Sequence, residues 1–145
     1  MPTLKETIAD PTKRKEIIAD CVTKIDQEVA DKGGLSGLAV KASYKIVKGI
    51  KPGFIPETVD SLLDDFCKNL QPIADEAGRK GVSISKYFVD NRGSVADALL
   101  TITDERAQRS KRGVVRGAYE KLRGTAKRHV EEAVPRIGRM IEKFA

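Results

Sequence analysis

From Lys111 to Ala145 the apolar residues of this chain recur with a single period. Val115, Ala118, Tyr119, Leu122, Ala126, His129, Val130, Ala133, Ile137, Met140, Ile141 and Phe144 follow one another at spacings of three, four and seven. That pattern places them on one stripe of an α-helix. About thirty helical residues reach roughly 48 Å at 1.5 Å each, long enough for several other helices to pack along them. The same stretch concentrates positive charge. Glu105–Ala145 holds twelve Lys/Arg against five Glu, a net of +7, while the preceding 104 residues are at −1, giving the chain its +6.

The rest of the chain has the length and composition of one helical domain. At 145 residues a chain can bury about 68–70% of its unfolded surface, so it needs neither metal nor disulfide to fold. Apolar residues make up 40% and charged residues 33%, which fits a globular body with a well-solvated exterior. No window approaches eighteen consecutive apolar residues, so no integral membrane association is expected. The first residues lack the apolar core of a signal peptide. Cys21 and Cys67 both fall on apolar stripes and read as reduced thiols acting as small hydrophobes. The expected location is cytoplasmic.

Capping signals divide the chain into helices. Thr3 with Glu6 forms a capping box ahead of a short helix. Asp10-Pro11 opens the next, with Ile17, Ile18, Cys21, Val22, Ile25 and Val29 on one side, and Gly33-Gly34 stops it. Ser36 is expected to cap a helix whose inner stripe is Leu38, Ala39, Ala42, Ile46, Val47 and Ile50, with Lys41, Tyr44, Lys45 and Lys48 outside. After Pro52 and Pro56 a helix carries Val59, Leu62, Leu63, Phe66, Cys67, Leu70, Ile73, Ala74 and Ala77, and Pro72 should kink or divide it. Ser83–Asp90 reads as a short helix. Ser94 with Asp97 is expected to cap a further one bearing Val95, Ala96, Leu99, Leu100, Thr103 and Ala107. Gly113 joins this to the long basic helix, in which Pro135 predicts a kink. With no alternating run and no repeat, the fold class is all-α: a compact single-domain bundle (1–145) of six or seven helices.

Three segments, Lys51-Pro52-Gly53-Phe54-Ile55-Pro56, Ala98-Leu99-Leu100-Thr101-Ile102-Thr103-Asp104 and His129-Val130-Glu131-Glu132-Ala133-Val134-Pro135, resemble an uncharacterised family of small bacterial all-helical proteins, a domain of unknown function. The resemblance implies a single bacterial cytosolic domain and carries no catalytic residues.

Few residues offer chemistry. His129 is the single histidine and lies inside the apolar stripe, where a hydrogen-bonded core histidine is commoner than a base or ligand. Two distant cysteines and one histidine do not make a zinc site, and no P-loop is present. The Gly33-Gly34-Leu35-Ser36-Gly37 turn is weaker than any nucleotide fingerprint, although a helix start can hold an anion. Glu57, Asp60 and Asp64 share a helix face at cation-binding spacing but sit opposite the apolar side, as a solvated face would. No catalytic residue, metal ligand or cofactor is assigned. Charges do fall inside apolar stripes: Glu28 in the first long helix and Arg106 in the fifth. Long side chains there either snorkel to the surface or pair internally. Glu28, Arg106 and His129, with Tyr119 as a possible fourth member, are therefore candidates for one internal polar cluster.

On the long helix Arg116, Arg123 and Lys127 flank one side of the stripe; Lys121, Arg128, Arg139 and Lys143 flank the other. These are either solvated flanks or a surface for phosphates. The leading expectation is a non-enzymatic binding or interaction module of unspecified ligand. The alternative is non-specific, salt-sensitive nucleic-acid binding through Arg116, Arg123, Lys127 and Arg128. The scarcity of aromatic residues for base stacking weighs against the alternative. A protein partner or a nucleic-acid backbone are the partners to consider, and the oligomeric state is open.

Overall fold

Seven helices and no strand make up residues 3–145, the part of the chain that the computed structural model describes. They are α1 (Leu4–Ala9), α2 (Pro11–Asp31), α3 (Gly34–Lys48), α4 (Phe54–Arg79), α5 (Ile84–Asp90), α6 (Arg92–Arg109) and α7 (Gly113–Phe144). The all-α expectation holds, at the upper of the two helix counts.

Local chemistry sets most boundaries. The Thr3–Glu6 capping box closes reciprocally over α1, and the Asp10 carboxylate accepts from the N–H groups of Thr12 and Lys13 at the start of α2. Ser83 caps α5 by accepting from Lys86 N–H. Two expected caps do not form. Helix α3 begins at Gly34, so Ser36 lies inside its first turn and accepts from Arg128 instead. Helix α6 begins at Arg92, directly after Asn91 ends α5, so Ser94 and Asp97 are already helical. Left-handed backbone at Gly34 (φ 71°) turns the chain out of α2, a conformation that costs a residue with a Cβ about 1–2 kcal/mol. Helices α4 and α7 run through Pro72 and Pro135 without interruption; neither proline divides its helix.

Helix α7 is the spine, flanked along its length by α5, α6, α3 and α2. Its twelve predicted stripe residues are all half-buried, while the fully enclosed positions are Val134 and Gly138 between them. One core joins Leu70, Ala74, Phe88, Val95 and Val134, from α4, α5, α6 and α7. A second joins Ile8, Ile17, Leu63 and Cys67, from α1, α2 and α4.

Helix α3 is turned away from its expected orientation, although Val47 and Ile50 are half-buried and Lys41, Lys45 and Lys48 are exposed, as expected. Leu38 is 62% exposed and Ile46 57% exposed, and Ala39 and Ala42 also face outward, as does Leu35 at 88%. The buried residues are Gly37 and Ser43. Size decides this orientation. A Cβ on Gly37 would stand 2.8 Å from the Lys32 carbonyl carbon, so α3 presses its smallest residues against the end of α2. Tyr44, expected outside, is half-buried and donates to Asp26 of α2 at 2.5 Å.

Candidate functional site

Between the helices lies an open-sided cavity of about 380 Å³. Six helices wall it with hydrocarbon: Ile8 from α1, Ile25 from α2, Val40 from α3, Phe66 from α4, Leu99 from α6 and Val130 from α7. The stripe of α7 is half-buried because much of it faces this space. Cys21 and Cys67 also lie in the wall as free thiols. Burial pushes their pKa values up, to about 12 for Cys21 and about 11 for Cys67. Both are therefore protonated, weakly nucleophilic groups at neutral pH, as expected of small hydrophobes.

The cavity surface is almost wholly hydrocarbon, with charged residues grouped at one end of its lining. Glu28, Lys32, His129 and Arg136 line it there, and a crosswise ion network holds them. Lys32 Nζ donates to Glu28 Oε2 at 2.7 Å, to Glu132 Oε1 at 3.0 Å and to the His129 carbonyl at 2.9 Å. Arg136 Nη1 donates to Glu28 Oε1 at 2.6 Å, and Nη2 reaches Asp31. The Lys32 ammonium, with neighbouring His129 contributing less, holds the Glu132 carboxyl below its usual range. All three donor positions of the buried ammonium are thus used, as a desolvated Lys requires.

His129 completes this end. Its side chain is 10% exposed, Nδ1 lies 3.3 Å from Glu132 Oε1, and Nε2 is buried with no hydrogen-bond partner. In the tautomer that donates Nδ1–H to Glu132, Nε2 is left as an acceptor. Beyond it a polar cleft of about 580 Å³ shares Glu28, Lys32 and His129 with the cavity and adds Asp31, Ser36 and Arg128. These three shared residues form a partition between hydrocarbon and a water-facing opening.

Of the residues proposed for an internal cluster, Glu28 and His129 belong to this network through Lys32. Arg106 does not. Its guanidinium donates to Ser61 Oγ at 2.8 Å, to the Ser61 carbonyl at 3.0 Å and to Asp65 at 2.9 Å. Among the described residues no hydrogen bond joins it to Glu28. Tyr119 lies apart too, donating to Asp104 and sharing a hydrogen bond with Thr103. The members that sequence reasoning missed are Lys32, Glu132 and Arg136. Their signal was present as two Glu-to-cation pairs at i,i+4, Glu28–Lys32 and Glu132–Arg136, although Arg136 crosses to α2 rather than pairing along α7.

The basic candidates on α7 divide. Arg123 Nε lies 2.8 Å from Asp104 Oδ1, and Lys127 Nζ lies 3.1 Å from Asp97 Oδ1. Arg116 donates to the Ser110 carbonyl and Arg128 to Ser36 Oγ, neither having a carboxylate partner among the described residues. The acidic face of α4 is likewise paired: Arg14 bonds Asp60 at 2.8 Å and Asp64 at 3.2 Å, and Lys51 reaches Glu57 at 2.8 Å. Among the described residues no helix is long and apolar enough to cross a membrane.

No curated protein and no solved structure matches the chain. A family model does, over residues 4–145, in keeping with the resemblance noted from the sequence. The chain belongs to the family of unknown function DUF6918.

Proposed function

We propose that this protein is a non-enzymatic binding module for a single-chain amphiphile. The hydrocarbon body occupies the cavity, and a hydroxyl or carboxyl headgroup meets His129 Nε2. The observation that carries this reading is a 380 Å³ apolar space lined in part by His129, whose Nε2 is buried and has no hydrogen-bond partner among the described residues. Ligand sites are commonly about 300–1,000 Å³, mostly apolar, with a few placed polar groups.

A hydroxyl donates directly to Nε2. A carboxyl group meets the same end of the lining, with Lys32 and Arg136 close by. Each methylene removed from water contributes about 0.8 kcal/mol, so about ten contribute roughly 8 kcal/mol. The headgroup bond adds about 1 kcal/mol, and loss of ligand freedom offsets part of the sum. Nucleic-acid binding has less support, because Arg123 and Lys127 already face Asp104 and Asp97.

The test is a fluorescence titration with 11-(dansylamino)undecanoic acid, followed by displacement with dodecanoic acid and dodecanol. Saturable binding, lost in Ala133→Phe while the helical circular dichroism is retained, supports the reading. Non-saturable binding, or an unchanged affinity in Ala133→Phe, contradicts it.

A further inference from the structure

Helix α3 carries two faces with different roles. Its inner side contributes Val40 to the cavity wall. Its outer side presents Leu35, Leu38, Ala39, Ala42 and Ile46 to solvent. At 100° per residue these five fall within an arc of about 100°. An apolar stripe of that width on a helix normally points into a core.

The charge within this segment has one sign, and the nearby carboxylates Asp31 and Glu132, which line the cleft with Ser36 and Arg128, are held by Arg136 and Lys32. From Lys32 to Pro56 the sequence runs twenty-five residues without an Asp or Glu and includes five lysines. Lys41 and Lys45 flank the stripe on one side, exposed and without an ion-pair partner among the described residues. On the other side Arg128 reaches over from α7 to Ser36. Lys48 lies further round and is held by Asp26 at 3.4 Å.

We propose that the outer face of α3 docks on an anionic lipid surface. Leu35, Leu38 and Ile46 would enter the headgroup boundary while Lys41, Lys45 and Arg128 meet lipid phosphates. This is the arrangement of interfacial helices, in which apolar insertion and attraction to anionic headgroups act together. A second copy of the chain fits this face less well. A two-fold pairing of α3 helices would bring like-charged lysine rows together. Three large side chains also fall well short of the roughly 800 Å² per partner that a stable interface buries. The docking does not depend on the cavity holding a ligand. Docking does place the Gly33-Gly34 turn, which lines the polar opening beside His129, near the lipid surface.

The test is co-sedimentation of the full chain with phosphatidylglycerol vesicles and with phosphatidylcholine vesicles, with solution mass by light scattering. Pelleting is expected with the anionic vesicles only. Leu38→Glu with Ile46→Glu should weaken it at least tenfold. Lys41→Gln with Lys45→Gln should weaken it roughly fivefold per lysine at low salt. All four positions are exposed, and unchanged circular dichroism checks the fold of each variant. Equal pelleting on both vesicle types, none on either, or anionic pelleting that survives the Glu pair overturns the proposal. So does a dimer that Leu38→Glu dissociates, which would assign the face to a second copy. The dansyl-fatty-acid titration reads the cavity separately, so either result can fail without the other.

Discussion

Lys32 Nζ stands 2.7 Å from Glu28 Oε2, one helical turn away, with its side chain only 6% exposed. Both residues lie in the cavity wall, and each has a second counter-charge from α7: Glu132 for Lys32, Arg136 for Glu28.

Removing the ammonium should be costly. Breaking a buried pair costs about 3–5 kcal/mol when the remaining charge is left alone, but Glu28 keeps Arg136. Lys32→Met is therefore expected to lose about 2–3 kcal/mol in urea denaturation at neutral pH. The acid side should change as well. The folded-state pKa of Glu132 is lowered chiefly by Lys32, so its contribution is present above the unfolded carboxyl value and is lost as pH falls through the lower folded one. The variant should lose stability less steeply between pH 5 and pH 3.

Glycines along α7 should respond with opposite signs. A Cβ on Gly138 would lie 2.9 Å from Ser85 Cα, where α5 crosses α7, while one on Gly124 meets nothing within 4 Å. Gly138→Ala is expected to destabilise by about 1–3 kcal/mol through overpacking. Gly124→Ala should stabilise by about 0.5–1 kcal/mol through helix propensity. Thermal melts of the two variants against the parent would check both.

At alkaline pH two tyrosines resist ionisation, Tyr44, raised by burial and its bond to Asp26, and Tyr119. Burial, and then its hydrogen bond to Asp104, push its pKa up to about 12 from 10.0. A raised folded-state value means that the unfolded chain ionises first. The contribution of Tyr119 is thus whole below pH 10 and lost as pH rises toward 12. The phenolate absorbance of the folded protein should show one tyrosine titrating near pH 12, absent in Tyr119→Phe.

The parts of the fold that could be read from the sequence were those governed by one strong signal. The α7 stripe, the Thr3 box, Asp10-Pro11 and Ser83 each follow from local chemistry, and each appears where expected. Helix α3 was misread because periodicity identifies an apolar face without saying what covers it. Gly37 and Ser43 won the inner position through close approach, a packing preference that hydrophobicity does not register. Glu28 and His129 stood out as polar residues on apolar stripes. The partner of Glu28 was misassigned because Arg106 and Arg136 are equivalent on a helical wheel until the helices are placed against one another. The cavity had no signal at all, since residues lining a void and residues lining a packed core share the same pattern.

The central claim is that this cavity is a binding site, and thermal unfolding with and without dodecanoic acid tests it most directly. A ligand at one hundred times its dissociation constant stabilises the folded state by about 2.7 kcal/mol, several degrees for a domain of this size. The account predicts that shift for the parent chain. It also predicts that Ala133→Phe, with its cavity filled from within, loses most of the shift. An unchanged midpoint for the parent, or the same shift in both proteins, would contradict it.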